Sequence, residues 1–339
     1  MSRSKGLFLT YDNLHNTDGL GAQFQRVLSV YCIAQLFGTS YLHSPIVDFD
    51  EQMFKKLDFQ SKLTILSDWN ALISPRVTSK LAPKTNLDFT IGNLTPAKLK
   101  IIKMVSRIFH ISITLRLWNP RLITDKFPHC FEYGNDFLDP RISSQSGVAG
   151  NRENPLRIVV HIRQGELRLS QFKHRYLPFS YFEKILSTII PEIKKRNLNF
   201  SLTIPVEPNM NNTFSGMAPE VINSLKTDNA NEFVTINNSG EVKLVFEKLD
   251  ESASPYLSEA IWNDSGSSYL DFLAMLNADI LIISKSSFSF TAGLLNEKGI
   301  VIYHPFWHSV PSSWITGEAL DLEDFARALE KWISLNECN

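Results

Sequence analysis

The sequence has few cysteines and no long hydrophobic run. Three cysteines, Cys32, Cys130 and Cys338, occur in 339 residues, and none belongs to a C-x-x-C pair. An odd, widely spaced set of this kind argues against a disulfide framework and against a structural zinc site. No apolar run reaches the length of about 18 residues that a membrane-spanning helix needs, so we expect no transmembrane segment. The amino terminus also lacks the apolar segment of a signal peptide, which favours a cytoplasmic location.

An excess of charge of either sign is also missing. Lys and Arg number 34 against 35 Asp and Glu, which gives a formal net charge of −1. A chain this neutral lacks the basic field of nucleic-acid-binding proteins, so we expect no nucleic-acid partner. A local anion site needs only one or two arginines and some backbone N–H groups, and it is still allowed. Hydrophobic residues make up 43% of the chain, which predicts a packed core rather than disorder.

Strand-like and helix-like segments alternate in two halves of the chain. Residues 6–11 have the composition of a strand, and a turn with two glycines and a helical pattern over residues 22–37 follow. A polar stretch with two glycines, residues 143–155, then interrupts the pattern, which restarts with a β-branched run typical of a buried parallel strand. We therefore predict an N-terminal α/β domain over residues 1–150 and a C-terminal α/β domain over residues 151–339.

The segment from Pro96 to Trp118 has the periodicity of one long helix. Apolar residues such as Leu99 and Ile108 recur on one face, and three lysines and Arg107 occupy the other. We interpret the basic face as solvated. Contact with a membrane surface or with a lipid-linked acceptor is the alternative.

Polar residues follow two of the predicted strands in the C-terminal half. His161 and Arg163 follow the first, and a serine-rich turn over residues 284–289 follows the second. The planar guanidinium of arginine binds a diphosphate through two parallel hydrogen bonds, and a turn that opens a helix offers free N–H groups to phosphate. A surface ion pair and a simple helix cap are the alternatives. Because ligands of open parallel sheets bind beyond the carboxyl ends of the strands, we favour an anion site.

A third motif is the loop over residues 18–23, which contains Gly19 and Gly21. Two glycines allow close approach of the backbone to a ligand. Phe24 stands where a dinucleotide-binding fingerprint has its third glycine, and the Lys-Ser/Thr pair of a P-loop is missing. Both of those nucleotide motifs are therefore disfavoured, and with them an NAD-dependent sugar-nucleotide epimerase.

Taken in order, the three motifs resemble those of the superfamily of α1,2-, α1,6- and protein O-fucosyltransferases. The matching segments are Gly19-Leu20-Gly21-Ala22-Gln23, His161-Ile162-Arg163-Gln164-Gly165-Glu166, and Asp271-Phe272 with the serine turn. The last of these is most similar to the α1,2 branch. The resemblance implies a GT-B-like α/β fold, with two Rossmann-like domains facing across a cleft. It also implies an inverting, metal-independent glycosyltransferase of glycan biosynthesis that moves fucose from GDP-fucose to a glycan hydroxyl.

The resemblance also implies roles for individual residues. Arg163 would neutralise the departing diphosphate, and the catalytic candidates are Arg163, Glu166 and His174. The general base is left open among Glu166, His174 and Asp18. The nucleotide-sugar-binding candidates are Gly19, Gly21, Gln23, His161, Arg163, Glu207, Asp271, Ser286, Ser287 and Ser289. No cofactor and no metal is implied, since no D-x-D pair stands in a suitable context.

The sequence departs from the family at positions that bear on the donor. Gln164 replaces the second arginine of H-x-R-R-x-D, and Glu166 replaces its aspartate. Glu207 lies in a segment that contacts the nucleotide in the family, but the Ser-Asp-Asp of α1,2 relatives is absent there. A catalytically inactive nucleotide- or glycan-binding protein, or a transferase using another nucleotide sugar, therefore stays an alternative. The acceptor is expected to be a glycan or a lipid-linked oligosaccharide.

Overall fold

The fold consists of two α/β units, each built on a parallel sheet. The computed structural model describes residues 6–12, 19–48, 59–78, 87–91, 94–117, 132, 134, 136–143, 155–163, 174–205, 213–214, 234–236, 242–244, 251–263 and 267–337. The described residues up to 143 form the first unit together with His308–Pro311, and the others form the second unit. The predicted α/β class with two Rossmann-like parallel sheets is confirmed. The boundary near residue 150 stays a prediction, because it falls outside the described residues.

The first unit contains a four-stranded parallel sheet with the strand order β2-β1-β4-β3. Its elements in chain order are β1 (Gly6–Tyr11), α1 (Leu20–Leu36), β2 (Ser40–Leu42), α2 (Phe59–Ala71), α3 (Pro75–Thr78), β3 (Leu87–Ile91), α4 (Pro96–Ile108), β4 (Ser112–Leu117) and α5 (Pro140–Ser143). Phe24 of α1 packs edge-on against Trp69 and Phe137, and these aromatic rings form part of a core in which all three are fully buried. Gly38, with φ of +53°, reverses the chain after α1, as the sequence predicts.

The prediction of one helix from Pro96 to Trp118 is wrong beyond residue 108. The helix α4 ends at Ile108, His110 takes a left-handed conformation with φ of +51°, and β4 begins at Ser112. Buried residues alternate between polar and aliphatic from Ser112 to Leu115, which is the period of a strand and not of a helix. The strand β4 pairs with β1 on one side and with β3 on the other, and it therefore lies inside the sheet.

The second unit contains a six-stranded parallel sheet with the strand order β10-β6-β5-β11-β12-β13, and a small antiparallel sheet with the order β7-β9-β8. Its elements are β5 (Leu156–Val160), α6 (Phe179–Lys195), β6 (Phe200–Pro205), β7 (Thr213–Phe214), β8 (Val234–Ile236), β9 (Val242–Leu244), α7 (Pro255–Glu259), β10 (Ile261–Asn263), α8 (Ser268–Leu276), β11 (Ile280–Ile282), α9 (Ser287–Leu295), β12 (Ile300–Tyr303), β13 (Ile315–Thr316) and α10 (Leu322–Glu337). Among the helices of the described residues, none has both the length and the apolar character needed to cross a membrane.

The two central strands of the large sheet, β5 and β11, are fixed against each other at their amino-terminal ends. Asp279 accepts hydrogen bonds from the backbone N–H of Arg157 at 2.8 Å and from the guanidinium of the same residue at 3.0 and 3.1 Å. Asp279 is 6% exposed. The strands then run in register, with Ile158 beside Ile280. The residues that follow both strands are thereby held at one edge of the sheet.

Candidate functional site

The candidate site lies at the carboxyl ends of β5 and β11, where the direction of the chain across the sheet reverses. After β5 the chain continues to β6 on one side of it, and after β11 it continues to β12 on the other side. The connections therefore diverge between these two neighbouring strands. Such a switch point is where open α/β sheets bind their ligands. His161 and Arg163 follow β5 there, and the serine turn follows β11.

Two side-chain hydrogen bonds join the segment after β5 to the serine turn. His161 Nδ1 and Ser284 Oγ are 2.7 Å apart, and Arg163 Nη1 donates to Ser286 Oγ at 3.4 Å. In sequence these pairs are separated by 123 residues, and the pairing of β5 with β11 brings them together. The two motifs that the sequence singles out separately thus form one cluster.

His161 is a buried, neutral residue rather than a cation. Its side chain packs against Phe288, with ring centroids 5.5 Å apart, and the residue is 4% exposed. Burial first, and then the charge of Arg163, lower the pKa of His161 to about 3. The imidazole is therefore uncharged at neutral pH. It positions the serine turn through Ser284, and Arg163 carries the positive charge after β5.

The low pKa of His161 predicts acid-sensitive folding. The unfolded chain protonates this residue near its ordinary pKa of 6.5, and the folded chain does so only near 3. The contribution of His161 to the free energy of unfolding is therefore fully present above pH 6.5. It is lost as the pH drops towards 3, by up to about 1.4 kcal/mol per pH unit. His43, whose burial lowers its pKa to about 4, adds to the loss over much of this range. We expect His161→Gln to show a smaller loss than the unmutated chain.

Denaturant unfolding of both proteins between pH 7 and 4 measures this difference. The variant should be less stable at pH 7, because Ser284 loses its partner, and the two free energies of unfolding should converge as the pH falls. Parallel curves would contradict a neutral, buried His161.

The three serine candidates of the turn have different roles in the structure. Ser286 is the N-cap of α9, and its hydroxyl accepts a hydrogen bond from Phe288 N at 3.3 Å. The hydroxyl of Ser289 is fully buried and lies 3.4 Å from Ser284 O. Ser287 is 8% exposed, and its hydroxyl makes no hydrogen bond within the described part of the chain. Ser287 therefore has a hydroxyl to offer to a ligand at the amino end of α9, where the helix dipole also favours an anion.

Lys285 is a cation of the site that the sequence reasoning missed. It lies between Ser284 and Ser286, and its ammonium donates to the carbonyl oxygen of His174 at 3.1 Å. Partial burial lowers the pKa of Lys285 from its usual value, and Glu318 acts in the opposite direction. The only sequence signal for this residue was its place within the serine turn.

The candidate base His174 belongs to a short segment that contacts the same turn. Its ring lies 6.4 Å from that of Trp307, and the guanidinium of Arg175 stacks 4.9 Å above the centroid of Trp307. Arg163 and His174 thus both contact the serine turn, the first through Ser286 and the second through Lys285. The His174 side chain itself is exposed.

The other predicted site residues are placed as follows. Asp271 is buried in the first turn of α8, next to Phe272, whose ring contacts that of Phe288 at 5.6 Å. This contact brings α8 to the ring that packs on His161. Glu166, Glu207 and Asp18 lie outside the described residues.

The glycine loop belongs to the first unit and opens α1. Gly19 is exposed and takes the N-cap position without a side-chain hydrogen bond, and a Cβ at this position would meet no atom within 4 Å. Gly21 is buried in the first turn of α1. Gln23 is also buried, and its amide donates to the carbonyl of Asp48 at 2.6 Å, which ties α1 to the segment after β2. In the described ranges, no three His, Cys, Asp or Glu side chains lie close enough to hold a metal ion.

Comparisons with known proteins found similarity in fold alone. No protein-family model and no curated protein matches the chain. The E. coli heptosyltransferase WaaC with ADP-2-deoxy-2-fluoro heptose is similar over 97% of this chain and 99% of its own, at 9% identity and a TM-score of 0.36. POFUT1 in complex with GDP is similar over 89% of this chain and 99% of its own, at 10% identity and a TM-score of 0.42. A mutant of Arabidopsis thaliana FUT1 in complex with GDP is similar over 94% of this chain and 73% of its own, at 11% identity and a TM-score of 0.38.

All three proteins are thus remote from this chain. Identities of 9–11% and TM-scores of 0.36–0.42 are too low to assign a function. The functional assignment must therefore come from the residues of the chain itself.

Proposed function

We propose that the chain is a glycosyltransferase that transfers a sugar, fucose in the first place, from a GDP-sugar to a hydroxyl of a glycan or lipid-linked oligosaccharide. The observation that carries the proposal is the junction of Arg163 with Ser286 at the switch point of the large sheet. This contact places a guanidinium at the amino terminus of α9, next to Ser287, whose hydroxyl makes no hydrogen bond among the described residues. These are three kinds of group that bind a diphosphate.

The proposed reaction breaks the bond between the anomeric carbon and the diphosphate oxygen. Its electron pair stays on the diphosphate, and the acceptor hydroxyl forms the new bond from the opposite side, which inverts the anomeric configuration. Negative charge grows on the leaving diphosphate in the transition state. Arg163 and the N–H groups at the start of α9 are fixed donors for that charge, and such preorganised donors supply a large part of catalysis.

The acceptor hydroxyl loses its proton in this step. Glu166 and His174 are the proposed bases, since a base has to reach that hydroxyl. His174 contacts the serine turn through its carbonyl oxygen, and Glu166 belongs to the same sequence motif as Arg163.

Lys285 offsets the loss of a charge in the H-x-R-R-x-D-like motif. Gln164 stands where the resembling family has a second arginine, so the segment after β5 supplies one cation fewer. Lys285 stands in the serine turn, between the residues that bond to His161 and Arg163. We propose that its ammonium binds the diphosphate, with the His174 carbonyl as its partner when the site is empty. Metal independence follows from this pair of cations, because they neutralise the leaving group in place of a metal ion.

A donor panel tests the proposed function. The full chain is incubated with GDP-fucose, other GDP-sugars, ADP-sugars and UDP-sugars, and release of the nucleoside diphosphate is followed with and without EDTA. We expect release from a GDP-sugar, enhanced by an acceptor glycan and undiminished by EDTA. Binding of GDP without release from any donor would identify an inactive binding protein, and an absolute requirement for Mn²⁺ would refute the proposed mechanism.

The serine turn gives a prediction that separates ligand binding from helix capping. Ser286 supplies the cap of α9, so Ser287→Ala leaves the cap in place. We expect this variant to bind GDP more weakly by about 1.5–3 kcal/mol, the size of a hydrogen bond to a charged group. Its affinity for guanosine and its melting temperature should hardly change.

The matched control is Thr95→Ala, which removes the N-cap of α4 in the first unit. It should cost about 0.5–2 kcal/mol of stability and leave GDP affinity unchanged. Calorimetric titration of both ligands, with melting curves, decides the matter. Equal loss of stability in both variants, with GDP affinity intact in both, would show that Ser287 has a structural role alone.

A further inference from the structure

The helix α4 is held to the first unit by one face only. Leu99 and Ser106 on that face are buried, at 0% and 1% exposure. Lys103 donates from the same side to the carbonyl oxygens of Phe37 and Gly38, just after α1 ends. This face fixes the orientation of the helix and determines which residues point away from the protein.

The opposite face of α4 is apolar although it is exposed. Ile101, Met104 and Ile108 follow one another at three and four residues, so they lie on one side of the helix. They are 56%, 53% and 61% exposed, and Phe109 at the helix end is 67% exposed. A solvent-facing helix surface ordinarily carries polar residues. The predicted single apolar face is therefore wrong, since Leu99 is buried and Ile108 is exposed.

The charges of α4 flank this apolar stripe on both sides. At 3.6 residues per turn, Lys100 and Arg107 fall on one flank and Lys98 on the other, and all three are exposed. The helix contains no acidic residue, whereas the whole chain carries 34 basic and 35 acidic residues. Its exposed face is therefore a local positive surface with an apolar centre.

We propose that this face of α4 lies on the surface of a bilayer that contains anionic phospholipids. The apolar side chains would enter the boundary between headgroups and acyl chains, and the flanking cations would stay at the level of the lipid phosphates. An interface with another protein fits less well, because lysine is depleted in such interfaces relative to the rest of the surface, and α4 offers no acid to pair with a partner's cations. The proposal does not depend on the transferase activity.

Vesicle flotation of the full chain tests the proposal. We expect the chain to float with vesicles of mixed phosphatidylserine and phosphatidylcholine and to stay behind with phosphatidylcholine alone. Lys100→Gln with Arg107→Gln should weaken binding about 25-fold, since each cation near an anionic surface contributes about fivefold. Ile108→Ser with Phe109→Ser should abolish it, because the apolar contact is lost.

The control is Leu335→Ser, which removes an aliphatic side chain of similar exposure, 57%, from α10 in the second unit. It should float like the unmutated chain, and circular dichroism should be the same for all variants. Failure of the unmutated chain to bind anionic vesicles would overturn the proposal, as would unchanged binding in the serine variant. Self-association in the absence of vesicles, abolished by the serine substitutions, would instead show that two copies pair through this face and would also overturn it.

Discussion

Arg163→Ala should lower turnover by a factor of about 10²–10³, the cost of losing one charge-stabilising donor in a transition state. The guanidinium bonds to the N-cap of α9 at the end of the central strand, where the leaving diphosphate is proposed to bind. Arg163 follows β5 and does not take part in strand pairing, so the variant should melt close to the unmutated protein. The turnover of Arg163→Lys should lie between that of Arg163→Ala and that of the unmutated protein, because lysine keeps the charge and lacks the planar guanidinium fork.

The measurement is kcat at saturating GDP-sugar, together with a thermal unfolding curve of each variant. Loss in kcat with an unchanged melting temperature locates the effect in the transition state. Turnover close to normal in Arg163→Ala, with the fold intact, would remove this residue from the mechanism.

Asp279→Ala should have the opposite signature, a large loss of stability with unchanged chemistry in the folded fraction. Asp279 holds three N–H groups of Arg157 and joins β5 to β11 at the end of the sheet remote from the site. Removing one partner of a buried pair costs about 3–5 kcal/mol, and the Arg157 side chain is 33% exposed, which reduces the expected loss to about 2–3 kcal/mol.

The matched control for this substitution is Asp88→Ala in the first unit. Asp88 receives a similar forked contact from Arg116, but both side chains are more than 40% exposed, at 43% and 41%. Water screens such a pair, so the control should lose only about 0–1 kcal/mol. Equal losses in denaturant unfolding of the two variants would contradict the importance that we give to burial of Asp279.

The elements that sequence alone predicted well are those dominated by burial. The strands β1 and β12 have the predicted bounds, and β5 falls within the predicted apolar run, because a strand buried on both faces is a continuous aliphatic segment. The helix α9 starts within one residue of its prediction because a serine cap marks it. Local signals of this kind need no knowledge of the rest of the chain.

Long-range features could not be predicted in the same way. The strand β4 was hidden because the apolar residues of α4 continue into it with only His110 between. The edge strands β10 and β13 have three and two residues, too few for a recognisable period. The strand order, and with it the switch point between β5 and β11, depends on pairing between segments more than 120 residues apart.

The residues of the candidate site also divide into those with a local sequence signal and those that depend on long-range contacts. His161, Arg163 and the serines carry local signals, since each follows an obvious strand. Lys285 was overlooked because its partner is the carbonyl of His174, at a distance of 111 residues in sequence. The neutral state of His161 was equally hidden, since it depends on burial beside Phe288.

Calorimetric titration of the full chain with GDP, and separately with guanosine, tests the central claim most directly. If the site at the ends of β5 and β11 binds a diphosphate, GDP should bind at least about tenfold more tightly than guanosine, since one hydrogen bond to a charged group contributes about 1.5–3 kcal/mol. Arg163→Ala should reduce that difference, and Ser287, Lys285 and the N–H groups at the start of α9 should supply what is left of it. Equal affinities for the two ligands in the unmutated chain, or a preference for GDP that is unchanged in Arg163→Ala, would contradict the claim.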